Sequence, residues 1–153
     1  MLKIYSAMED ANCVFCRIVS DKTQARIIDE NDNALAFLDA FPLSVGHSLV
    51  IPKRHYSKVQ DMNSTHSCAV FNLACKLAAV LEKTVKANAS TIAIHNGKDA
   101  GQEVPHVHVH IVPRSVNDGA GPIHSMFSLR PRLSEEEMDM LVKKVKKVST
   151  YNK

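Results

Sequence analysis

The sequence predicts an α+β fold built on a mainly antiparallel sheet. Short apolar runs that read as strands come in pairs around polar turns, and two amphipathic helices stand apart from each other. The 153 residues, 45% apolar and 23% charged, suit one domain with its own core.

Residues 1–12 mix charged and apolar side chains without a period and read as a mobile N-terminal arm ahead of a domain over 13–153. "ARII" at 25–28 and "NALAFLDAF" at 33–41 are strand-like runs around the polar turn "DENDN". "HSLVIP" at 47–52 is a third, stopped by Pro52, which cannot donate to a sheet ladder. From Ser64 to Asn88 the period changes, with Val70, Leu73, Leu77, Leu81 and Val85 at helical spacing. On that helix Cys68 and Cys75 read as small core hydrophobes, and His66 shows no partner. "TIAIH" at 91–95 and "HVHVHIV" at 106–112 are the last two strands, joined by the loop "NGKDAGQEVP". A second helix spans 134–148. Ser134 with Glu137 makes its capping box, and Leu133 with Met138 its hydrophobic staple. Met138, Leu141, Val142, Val145 and Val148 form its apolar stripe, expected to be buried.

Composition excludes several classes. The apolar runs are too short to span a bilayer, and the start lacks a secretory apolar region, so an intracellular, cytoplasmic protein is expected. Four cysteines then read as free thiols or metal ligands. A net charge of +3 tolerates an anionic small molecule but is no nucleic-acid footprint. The basic run "KKVKK" at 143–147 is explained by the negative end of a helix dipole, opposite the glutamates at 135–137.

Three of eight histidines, His106, His108 and His110, fall within five residues. On a strand, side chains two apart share a face, roughly 6.5 Å from each other. That face carries imidazoles while Val107, Val109 and Ile111 face the core. A solvated histidine stripe is the blandest explanation, but each ring nitrogen needs a partner. A metal site is a second, since His-x-His on a strand can chelate. The third is nucleophilic catalysis: neutral imidazole attacks phosphorus, and clustered imidazoles hold one another unprotonated.

The order "CVFCRIV", "ALAFLDAFPLSVGHSLVIPKRH", "NGKDAGQEV" and "HVHVHIVPR", from Cys13 to Arg114, resembles the histidine triad (HIT) family, in its zinc-bearing branch. The resemblance implies a homodimer in the HIT fold, with a five-stranded antiparallel sheet and two main helices per subunit. It also implies hydrolysis or transfer at the α-phosphate of purine nucleotides through a nucleotidyl-histidine. The nearest such activity is that of an adenosine 5'-monophosphoramidase, with a dinucleoside polyphosphate hydrolase and a non-catalytic nucleotide-binding scaffold dimer as alternatives. Carried over residue by residue, His108 is the nucleophile. His110 and His47 are expected to hold the α-phosphate oxygens.

The same resemblance puts Phe15, Ile18 and Phe37 around the base and Asp39 on the ribose hydroxyls. Asn96, Gly97, Gly101 and Gln102 form the loop near the phosphates, where glycines let backbone amides approach. Ordinary core packing is the competing explanation for the apolar residues, and a turn role for Asp39 and the loop. Two positions depart from the family pattern. His95 stands where an amide is usual, and Glu103 where Ser or Thr faces the leaving group. A carboxylate there repels a polyphosphate tail and suits an amine. Cys13 and Cys16 form a C-x-x-C, and the family's zinc-bearing members complete the site with residues that are His55 and His106 here. The implied cofactor is one structural zinc. His124 is expected at the surface.

Overall fold

In the computed structural model, which describes residues 10–150, the chain divides into two units after Asp118. The first carries α1 (Val14–Val19), β1 (Ile27–Glu30), β2 (Ala34–Leu38), β3 (Ser48–Pro52), α2 (Ser64–Val85), β4 (Ala89–Ala93) and β5 (Val109–Arg114). The five strands form one antiparallel sheet, as expected, and their order is β1-β2-β3-β5-β4.

Alternation along the central strands sorts the sheet into two faces. Ala34, Ala36, Val50, Val109 and Ile111 point to one face, where they meet Val70, Leu73, Ala74, Leu77 and Leu81 of α2. Small alanines on β2 let that helix lie close. Each buried leucine contributes roughly 1.5–3 kcal/mol by leaving water. Leu35, Phe37, Leu49 and Ile51 point to the other face, under Cys13, Phe15, Cys16 and Ile18 from the α1 segment. Because Val109 and Ile111 belong to the α2 face, His108 and His110 belong to the α1 face.

Several expectations change here. Strand β5 begins at Val109, so His106 and His108 precede it; His106 N–H bonds back to Val104 and Val107 N–H to Tyr56 instead of a strand neighbour. The short α1 has no counterpart among the helices the sequence predicts, because six residues are too few to display a helical period. Cys68 and Cys75 are exposed, not core. Two positions short of Val70 and Leu77, they are turned about 200° away from the buried stripe. His66 has partners after all: its ring meets Tyr56 Oη at 3.2 Å and Asn63 Oδ1 at 2.8 Å, where Asn63 caps α2. The expected arm at 1–12 lies outside the described residues except for residues 10–12.

The second unit, from Gly119 onward, contains α3 (Glu135–Thr150). Its capping box forms as expected: Ser134 Oγ accepts from Glu137 N–H at 3.2 Å and a Glu137 carboxylate oxygen accepts from Ser134 N–H at 2.8 Å. The stripe expected to be buried is instead open, with Met138 41% and Val148 63% exposed. Among the described residues of this unit the other regular element is a single short 3₁₀ turn, Ile123–Met126. His124 is exposed, as expected. Among the described residues no helix is long and apolar enough to cross a membrane.

Candidate active site and metal centre

A cavity of about 620 Å³ opens on the α1 face of the sheet. Strand order sets the sequence of groups across it. Phe15 and Ile18 from α1, with Phe37 and Leu49, line its apolar end. Asp39, just past β2, comes next. His47, His108 and His110 line it as well, joined by His95, Gly101 and Glu103 from the β4–β5 connection. Phe15 packs edge-on against Phe37 at 5.7 Å between centroids and against His108 at 5.2 Å, so apolar and imidazole surfaces are continuous.

Backbone partners fix the protons of the key rings. His108 Nδ1 lies 2.7 Å from the His106 carbonyl oxygen, which can only accept. The neutral ring therefore carries its proton on Nδ1 and a lone pair on Nε2. Burial, chiefly, lowers the His108 pKa, with the neighbouring His95 acting in the same direction and the carboxylates of Asp39 and Glu103 opposing it. The ring is uncharged at neutral pH, as an attacking group needs to be. His110 is held down to about 4, first by burial and then by the facing rings of His108, His47 and His95. Asp39 is oriented by the Phe41 amide, which donates to Oδ1 at 2.8 Å, and its Oδ2 stands 3.6 Å from His47 Nε2.

The loop residues divide. Gly101, with φ +88, adopts a left-handed conformation that glycine holds without strain, and it lines the cavity with His95 and Glu103. Asn96 and Gln102 do not line it. Asn96 Oδ1 accepts from Val59 N–H at 2.9 Å, and Gln102 bridges the Gly97 amide and the Ser57 carbonyl at 2.8 and 2.9 Å. Both amides tie the loop to the segment before α2. Leu43 and the stretch 23–26 also line the cavity. No motif marks them, because they belong to turns whose position only the folded sheet defines.

Behind the cavity wall, Cys13, Cys16, His55 and His106 bring their ligand atoms within 4.8 Å of one another. Sulfur to nitrogen distances are 3.5 Å for Cys13 to His106, 3.6 Å for Cys16 to His106 and 3.3 Å for Cys16 to His55. A tetrahedral zinc with Zn–S near 2.3 Å and Zn–N near 2.0–2.1 Å has an S to N edge of about 3.6 Å, so the donor set fits that ion without rearrangement. His106 supports the fit: Nε2 donates to the Pro52 carbonyl at 2.9 Å, leaving its Nδ1 lone pair for the thiols. Burial, above all, pushes the Cys16 thiol up to about 11, and burial likewise holds His106 down to about 4.

Residues 20–117 match the model of the HIT domain family. A HIT-like protein of Methanocaldococcus jannaschii is 40% identical over 107 residues, 70% of this chain and 82% of that one. An adenylylsulfatase of Arabidopsis thaliana is 36% identical over 119 residues, 76% of this chain and 59% of that protein. Among solved structures, a zinc-bound histidine triad family protein from Mycobacterium smegmatis superposes with a TM-score of 0.67 at 32% identity, covering 92% of this chain and 97% of that one.

Proposed function

Because the chain belongs to the HIT family, we propose that it hydrolyses purine nucleotides at the α-phosphorus through a covalent bond to His108, acting as an adenosine 5'-monophosphoramidase. The observation that carries this reading is the His108 ring, whose Nδ1 proton is committed to the His106 carbonyl while Nε2 keeps a lone pair beside the cavity. The base sits among Phe15, Ile18 and Phe37, and Asp39 accepts hydrogen bonds from the ribose hydroxyls. His108 Nε2 attacks phosphorus, the P–N bond breaks, and the amine leaves with one proton taken up from solvent, which the later attack of water returns. Water then cleaves the N–P bond to His108, releasing AMP and restoring the ring.

The leaving group defines the activity. Glu103 lines the same cavity as the triad and acts electrostatically on His108, and a carboxylate there repels a polyphosphate and suits a departing amine. An acidic leaving group is the second reading, favoured by the likeness to the Arabidopsis adenylylsulfatase. Steady-state kinetics with AMP-amide, adenylylsulfate and a diadenosine polyphosphate separate the two. AMP-amide is expected to have the highest kcat/KM, by about tenfold or more, the factor that ~1.4 kcal/mol represents. Glu103→Ser is expected to narrow that gap. A preference for the polyphosphate or the sulfate in the unmodified protein overturns the amine assignment.

The metal centre belongs to the same reading as a closed structural zinc site held by Cys13, Cys16, His55 and His106, pinning α1 to the sheet. Four protein ligands leave no open position, so zinc supplies stability and takes no part in the reaction. A homodimer is also proposed. It is supported by β4, an outer strand paired only with β5 and carrying the half-exposed Ile92. Sedimentation is expected to return twice the mass of the chain, and a monomer at micromolar concentration defeats that assignment.

A further inference from the structure

A departing amine needs a proton, because the anion it would otherwise form is too basic to leave. Four imidazoles line the cavity, those of His47, His95, His108 and His110, and three of them are committed elsewhere. His108 holds its Nδ1 proton on the His106 carbonyl and keeps Nε2 for the attack. His47 takes the Leu43 amide on Nδ1 at 3.1 Å, and its Nε2 lies 2.9 Å from His110 Nδ1. The other nitrogen of His110 is fully buried, out of reach of a substrate, and that ring is uncharged at neutral pH.

His95 differs from all three. It lies just past β4, at the start of the connection to β5, and is only half-buried. Among the described residues no group hydrogen-bonds to its ring, and neither ring nitrogen is buried. The ring stands beside the triad. Its centroid is 5.5 Å from that of His110, with 52° between the planes, and it acts electrostatically on both His108 and His110. Gly101 carries no side chain, and a Cβ there would stand 4.0 Å from His95 Nδ1, so that edge of the ring stays clear. The carboxylates of the cavity suit the task less well. Asp39 is turned by the Phe41 amide toward His47. Glu103 lines the cavity too, but a carboxylate holds a proton only in acid, whereas imidazole gains and loses one near neutral pH.

We propose that His95 carries the proton of both half-reactions, giving it to the departing amine and taking it back from the attacking water. As His108 Nε2 bonds to phosphorus, the P–N electron pair passes to the amine nitrogen. That nitrogen takes a proton from the His95 imidazolium and leaves as a neutral amine. His95, now neutral, accepts a proton from the water whose oxygen bonds to phosphorus, and the bond to His108 breaks. Amine and AMP are released, and both rings return to their starting state. This rests on the nucleotide reading above and puts a named side chain where that reading has solvent.

Two substrates that differ in what their leaving groups need separate this role from a structural one. AMP-amide must be protonated to release its amine, whereas the p-nitrophenyl ester of AMP releases a stable anion. His95→Gln puts an amide that cannot ionise in the same place. In that variant kcat/KM is expected to fall about 100-fold further for AMP-amide than for the ester. The ester is also expected to give a burst of about one nitrophenolate per subunit and then slow turnover, because water attack has lost its base. Both substrates are read on one preparation, so partial unfolding cancels from the ratio. Equal losses on the two overturn the proposal, as does a His95→Gln protein that keeps its AMP-amide turnover. Failure of the nucleotide reading looks different. The unmodified protein then turns over neither substrate and carries no AMP adduct on His108, and the proposal falls with it.

Discussion

The His108→Ala protein is expected to lose turnover of AMP-amide by a factor on the order of 10⁴ to 10⁶ while still binding AMP. The buried imidazoles beside it, His106 and His47, cannot replace it. His106 has Nε2 committed to Pro52 and Nδ1 among the thiols, and His47 has its nitrogens on Leu43 and His110. Affinity for AMP is expected to persist because Phe15, Phe37 and Asp39 keep their places around the cavity. Some packing is lost with the ring, which meets Phe15 edge-on at 5.2 Å, so the melting temperature of the variant is measured beside its kinetics. Mass spectrometry of rapidly acid-quenched reactions adds a second readout: an AMP adduct on His108 in the unmodified protein and none in the variant. Undiminished turnover in the variant refutes the nucleophile.

Removing one metal ligand has the second large effect. Cys13→Ser is expected to release zinc, destabilise the protein by at least ~2 kcal/mol and raise the KM for AMP-amide more than it lowers kcat. The split follows from where α1 sits. Six residues form no stable helix alone, so α1 depends on what holds its ends. Phe15 and Ile18 on it line the cavity, where the proposed reading seats the base. Protons compete with the ion. Without metal the Cys16 thiol, raised to about 11 mainly by burial, is protonated at neutral pH, so zinc must displace that proton. Affinity therefore weakens as pH falls. Metal analysis, thermal unfolding and steady-state kinetics on the same preparations check all three parts. Zinc retained with unchanged affinity in Cys13→Ser shows that the ligand set is wrong.

Legibility in the sequence follows the range of the interaction. The α2 stripe and the α3 capping box are readable because each depends on residues three or four apart. The histidine trio and the C-x-x-C are readable as chemistry because their spacing is local, although the separation of 93 positions from Cys13 to His106 hides that they meet. Harder to read are roles that depend on a distant partner. Asn96 and Gln102 look like phosphate contacts until Val59 and Ser57 take up their amides. Cys68 and Cys75 have core chemistry at positions that face solvent, which only the direction of the α2 stripe decides. Leu43 carries no signal at all, since what matters there is a backbone N–H.

His106 belongs to two neighbourhoods at once. Its ring joins the thiols, while its main-chain oxygen holds the Nδ1 of His108. The proposed zinc ligand and the proposed nucleophile therefore share one stretch of backbone: any change that shifts residue 106 to suit the thiols also moves the oxygen that sets the direction of the His108 ring.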